Sequence, residues 1–184
     1  MAFKPLPNMA EEIRALIGDG EALPPVDKWH PERVGDIDIR IGGDGRWFYR
    51  GEEMTRESVV RLFSTILRKD DDGYCLVTPA EKMRIQVEDA PFLVRLMDVE
   101  GEGESQSIHL STNVGDSFTL SADHPLRIHA TESGDPKPYA KVRRNLEALL
   151  SRSVYYELAD LAVPKTEGSE EYGVWSAGEF FKLV

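Results

Sequence analysis

WFYRGEEMTRESVVRLFSTILRKDDDGYCLVTPAEKMRIQVEDAPF, residues 47–92, reads as strand, helix, strand, turn and strand, closed by a tight acidic turn. Its helix is the strongest local signal in the chain. Val59, Leu62, Phe63, Ile66 and Leu67 fall on one helical face, and Arg61, Ser64, Thr65 and Arg68 fall away from it. Thr55 stands where an N-cap belongs, and Met54 and Val59 occupy the two positions of a hydrophobic staple. Lys69-Asp70-Asp71-Asp72-Gly73 stops the helix with turn formers. Tyr74-Cys75-Leu76-Val77 is a strand by composition. In the next strand Met83, Ile85 and Val87 alternate with Arg84 and Gln86, which gives one buried and one wet face.

Outward from this stretch, Met9, Ile13, Leu16 and Ile17 follow Pro7 at the spacing of an amphipathic helix that Gly18-Asp19-Gly20 ends. Leu23 to Pro31 holds three prolines, so it reads as an extended arm anchored by Trp29. Ile37, Ile39 and Ile41 alternate with polar residues as a strand, and Gly42-Gly43-Asp44-Gly45 turns it back. That glycine-rich loop has neither P-loop nor dinucleotide spacing, and a strand follows it. From Phe92 to His129 the chain reads as an antiparallel meander. After it come a helix carrying Val142, Leu146, Leu149 and Leu150, a strand Val154–Leu158, and a short helix opened by a Ser176/Glu179 capping box.

Tyr74-Cys75-Leu76 and Tyr156-Glu157-Leu158 each follow a predicted helix, an echo that suggests a repeated unit. The expected fold is therefore α+β, with two similar antiparallel-sheet-plus-helix units packed side by side. The expected division is 1–34 for the helix and proline-rich arm, 35–92 for the first unit and 93–184 for the second.

The 184 residues are enough for a substantial core, and 33 acidic against 22 basic residues leave a net charge of -11. That balance argues against nonspecific nucleic-acid or anionic-membrane binding, which needs a basic surface. A local basic pocket for a small anion is compatible with it. The single cysteine, Cys75, excludes an internal disulfide, and its apolar neighbours mark it as a buried strand thiol. No run approaches transmembrane length and no apolar signal core opens the chain, so the expected location is cytoplasmic. His30, His109, His124 and His129 lack zinc spacing, no nucleophile elbow occurs, and no cofactor motif is present.

Seven short stretches together resemble an uncharacterised bacterial family of unknown function. They are Gly35-Asp36-Ile37-Asp38, Gly45-Arg46-Trp47-Phe48, Leu76 to Lys82, Val87 to Phe92, Thr112 to Asp116, His124-Pro125-Leu126-Arg127 and Pro138 to Arg143. The resemblance spans residues 24–160, and the Val-Glu-Asp-Ala-Pro-Phe motif is its most recognisable part. It implies a duplicated α+β core and a second half like a pleckstrin-homology fold. It also implies a ligand site between the halves for a nucleotide-like molecule, and a signalling role.

Two functional readings follow. In the first, the chain is a non-catalytic ligand-binding or regulatory module for a small anion, with Lys82, Glu88, Asn113, His124, Arg127, Arg143 and Arg152 as site residues. Arginines suit bidentate contacts with phosphate or carboxylate. Against this, the same cations can be spent on surplus carboxylates in surface pairs worth about 0–1 kcal/mol. In the second, Glu88 or Asp89 works with His124 in acid–base catalysis, although adjacent residues on a strand point to opposite faces. The residues favour the first. A protein-interaction scaffold is a further alternative, and the Trp29 arm would suit packing on a second copy in a homodimer.

Overall fold

The computed structural model describes residues 6–18 and 22–184, which divide into two units at Asp89/Ala90. In the first unit, α1 (Leu6–Ile17) packs on α2 (Glu57–Thr65). Met9, Ala10 and Ile13 are buried, while Leu16 is exposed. Of the predicted stop after this helix, Asp19 and Gly20 lie outside the described residues. The arm carries a single 3-10 turn at Val26–Lys28. Its side-chain anchor is the fully buried Val26, with Trp29 half-buried. Arg68 pins the arm from below, donating to the carbonyl oxygens of Val26 at 2.8 Å and Trp29 at 2.7 Å.

The first sheet contains β1 (Arg33–Ile41), β2 (Trp47–Tyr49), β3 (Glu52–Glu53), β4 (Leu67–Asp70), β5 (Gly73–Val77) and β6 (Glu81–Val87) in the order β3-β2-β1-β6-β5-β4. The predicted strands and the Gly42–Gly45 turn are all there. The helix differs at both ends. Arg56, not Thr55, is the N-cap and makes no side-chain cap bond. At the other end Ile66 closes the helix and Leu67–Asp70 leaves it as a strand. Ile66 and Leu67 are both fully buried, and β5 supplies β4 with a ladder partner that a continued helix would forgo.

The second unit holds β7 (Phe92–Glu100), β8 (Ser107–Thr112), β9 (Ser117–Thr119), β10 (Leu126–Ala130), β11 (Pro136–Arg143) and β12 (Leu146–Leu150), ordered β10-β11-β12-β7-β8-β9. It adds α3 (Arg152–Asp160) and a small sheet of β13 (Val163–Pro164), β14 (Tyr172–Ser176) and β15 (Glu179–Lys182). Three predicted elements are corrected here. The helix expected through Val142 and Leu150 is the β11–β12 hairpin. Its residues favour helix by propensity, but Ala140, Val142, Leu146, Ala148 and Leu150 are the buried ones, alternating around a two-residue turn. The strand expected at Val154–Leu158 is α3, with Val154 and Leu158 buried one turn apart and Ser151 Oγ accepting from the Val154 N–H. The final helix is the β14–β15 hairpin. Ser176 and Glu179 are facing partners across Ala177-Gly178, whose φ angles of 51° and 81° make the turn.

Ser176 ties that hairpin to the main sheet of its unit. Its hydroxyl accepts from the Ile108 N–H at 2.9 Å and donates to the Leu120 carbonyl at 2.7 Å, both bonds fully buried. Gly173 is required by close approach, since a Cβ there would lie 2.1 Å from the Phe181 carbonyl oxygen.

The two main sheets share one topology. Each is a three-stranded meander followed by a second, and the first strand of the first lies parallel to the last strand of the second, β1 to β6 and β7 to β12. This bears out two similar α+β sheet units, and the second sheet with its following helix is consistent with the pleckstrin-homology-like half. The Tyr-Xaa-Leu echo is not the basis of the repeat. Tyr74 lies on β5 and Tyr156 on α3, so the echo pairs a strand with a helix.

Candidate functional site

On one face of the first sheet, a run of opposite charges links β4, β6 and β1. Arg68 holds Asp70 with two bonds of 2.7 and 2.8 Å, Lys82 contacts Asp70 and Asp72 at 2.8 Å each, and Arg84 reaches Asp36 at 2.8 Å. The bidentate guanidinium of Arg68, aided by Lys82, lowers the Asp70 carboxyl to about 2. Lys82, one of the seven expected site residues, is thus spent on two carboxylates, which raise its ammonium pKa. Burial pushes the nearby Cys75 thiol up to about 11, as expected of a buried strand thiol.

Glu88 is likewise engaged within its own unit. It accepts from the Gly43 backbone N–H at 2.9 Å and from Arg40 at 2.5 Å, and these bonds, the backbone one foremost, hold its carboxyl below the ordinary range. It fastens the glycine-rich turn to the end of β6. Arg40 in turn lies 4.2 Å from the Phe48 ring centre.

The remaining expected residues belong to the second unit. Asn113 Oδ1 accepts from the Leu93 N–H at 2.9 Å and locks the β8–β9 turn against β7. Arg143 pairs with Asp116 in that turn and lies 4.9 Å from the Phe92 ring centre. Arg127 grips Glu147 with two bonds of 2.7 Å and stacks 4.4 Å from Tyr139. His124 Nδ1 lies 3.1 Å from the Lys141 carbonyl oxygen, which can only accept, so Nδ1 carries the proton. For the acid–base reading, Glu88 belongs to the first unit and His124 to the second, each with a structural partner there.

Arg152 is different. It is exposed, opens α3, and makes no ion pair with the described residues. It lines a groove of about 370 Å³ between the β10–β11 loop and α3, within the second unit. That volume lies in the range of small-molecule sites. Pro138, Leu149 and Leu150 give the groove an apolar floor, and Lys137, Tyr155 and Tyr156 join Arg152 in its walls. Thr131, Ser133 and Asp135 form the far rim, tied together by the Thr131 and Ser133 hydroxyls. Tyr155 and Tyr156 escaped the sequence reading for a definite reason. On a strand Tyr155 and Tyr156 point to opposite faces, whereas on a helix both share the face of Arg152, three and four residues on.

Residues 24–90 match the description "Domain of unknown function (DUF1285), N-terminal domain", and residues 91–183 match "Protein of unknown function (DUF1285), C-terminal domain". The chain belongs to the DUF1285 family. A crystal structure of a DUF1285 family protein from Silicibacter pomeroyi DSS-3 is 41% identical, with a TM-score of 0.88 over 100% of this chain and 96% of that one. A second, from Shewanella baltica OS155, is 30% identical with a TM-score of 0.52, covering 66% of this chain and 90% of that one. No curated protein matches the chain. The family seen in the sequence is therefore DUF1285, and its two described domains meet within one residue of the boundary between the two units. Among the described residues, no helix is long and apolar enough to cross a membrane, and no group of three His, Cys, Asp or Glu gathers to hold a metal.

Proposed function

We propose that this DUF1285 chain is a non-catalytic, cytoplasmic ligand-binding module with a regulatory role in signal transduction, and that its ligand is a small anion. The observation that carries the reading is the groove beside α3. Lys82, Arg127 and Arg143 are held by carboxylates, while Arg152 presents an exposed guanidinium to a cavity of ligand size. The resemblance implies a ligand between the halves; the present proposal rests on a groove complete within the second unit.

Thermal unfolding against a panel of nucleotides and small organic acids tests it. Ligand at about 100 times its dissociation constant adds about 2.7 kcal/mol, which raises the midpoint by roughly 5–10 °C for a chain of this size. Arg152→Ala abolishes the shift while leaving the unliganded midpoint unchanged. A shift that survives in Arg152→Ala removes the groove as the site. No shift across the panel refutes the small-anion reading and directs the search to a protein partner.

A further inference from the structure

The groove also selects among anions. Resting on the reading above, we propose that its ligand is a monocarboxylic acid with a compact apolar body, the carboxylate on Arg152 and the body against Tyr155, Tyr156 and the groove floor. The charges that line the groove decide the head group. Of its two cations, Lys137 already has a partner within the chain, whereas Arg152 makes no ion pair with the described residues. One guanidinium is therefore left for the ligand. Its fork meets both oxygens of a carboxylate, and its single positive charge balances a single negative one. A phosphate dianion would bring a second negative charge against that one guanidinium. The Asp135 carboxylate on the far rim, in a chain of net charge -11, disfavours it further.

Size and lining decide the rest of the ligand. At about 370 Å³ the groove lies near the lower end of the range of small-molecule sites, roughly 300–1,000 Å³, so the body is compact. The side chains of Pro138, Leu149 and Leu150 neither donate nor accept, so an apolar body gains by leaving water there and a polar one forfeits hydrogen bonds. Tyr155 and Tyr156 follow Arg152 by three and four residues, on its own face of α3. Tyr156 is 60% exposed, the most open aromatic side chain among the described residues, and a ligand that covers its ring removes apolar surface from water. Tyr155 is half-buried beside it. Neither phenol hydroxyl bonds to a described residue, so both are donors within the groove for an acid held on the guanidinium. The opposite rim is closed on itself. There the Thr131 and Ser133 hydroxyls lie 2.9 Å apart and Thr131 donates to the Asp135 carbonyl at 2.8 Å.

Amide NMR titrations of the full chain with benzoate, hexanoate, acetate and inorganic phosphate decide the matter. Benzoate or hexanoate is expected to shift residues 149–156 and to bind at least tenfold tighter than acetate or inorganic phosphate, the tighter of the two telling a ring from a chain. Arg152→Ala weakens that acid by at least tenfold. Tyr156→Ser, at an exposed position, weakens it by at least threefold and leaves acetate binding unchanged. Inorganic phosphate binding as tightly at these residues overturns the carboxylate assignment yet leaves the anion groove standing. Acetate binding as tightly as benzoate and hexanoate, or full affinity in Tyr156→Ser, overturns the apolar body as drawn. No shift at residues 149–156 with any of the four probes refutes both this proposal and the groove on which it rests.

Discussion

Asp70 concentrates the residue-scale physics of the first unit. Its folded pKa of about 2 lies below the ordinary 3.8, so between those values the unfolded chain binds more protons than the folded one. Stability from this group is complete above about pH 4 and is lost as pH falls towards 2. The shift corresponds to about 2 kcal/mol. Asp70→Asn should therefore cost about 2 kcal/mol in urea unfolding at pH 7, and the gap from wild type should close by pH 2. An unchanged gap across that range would show that Arg68 and Lys82 do not hold the carboxylate as described. Pairing of this kind is what sequence conceals. Lys82, Arg127 and Arg143 stood out correctly as cations, but their partners are on other strands and turns, at separations no local pattern encodes.

At the scale of elements, period-two strands bounded by turn formers were plain in the sequence, as in β1 and β6. The elements misread were those whose composition favoured helix while tertiary pairing demanded strand. From Lys141 to Leu150 the β11–β12 hairpin is rich in Leu, Ala, Glu, Lys and Arg, yet β10 and β7 flank it and supply ladder partners on both sides. Misplacing that helix displaced the next element too, and hid the face that groups Arg152 with two tyrosines. The β14–β15 turn offers a direct check. Ala177 at φ 51° is in a conformation that penalises a Cβ, whereas Asn and Gly adopt it readily. Ala177→Gly or Ala177→Asn should stabilise the chain by about 0.5–1 kcal/mol, seen as a higher unfolding midpoint. A helical Ser176–Leu183 would instead lose stability with glycine.

For the whole molecule, the acidic balance was legible from composition and has a measurable consequence. At physiological salt the chain should neither retard duplex DNA nor co-sediment with vesicles rich in anionic lipid, because both processes need neutralising cations that this surface has largely paired. Binding in either assay that weakens steeply with salt would contradict that surface. The repeat was legible as an expectation of two similar units, but its true form lies in strand order, which short sequence identities do not carry. Equivalent strands of the two sheets share a position in the topology, and the two units place their helices at different points along the chain.

That shared topology has a mechanical meaning. The strands that open and close each sheet lie parallel and adjacent, so a pull on the two ends of the sheet drives β1 against β6, or β7 against β12, along their common axis. Their ladder bonds then bear load together in shear instead of opening one by one like a zipper. Each unit is a mechanical clamp whose grip is set by the joint between its first and last strands. Stretched between its ends, the chain should yield in two discrete force peaks, the second unit giving way only after α3 and the C-terminal hairpin have peeled off.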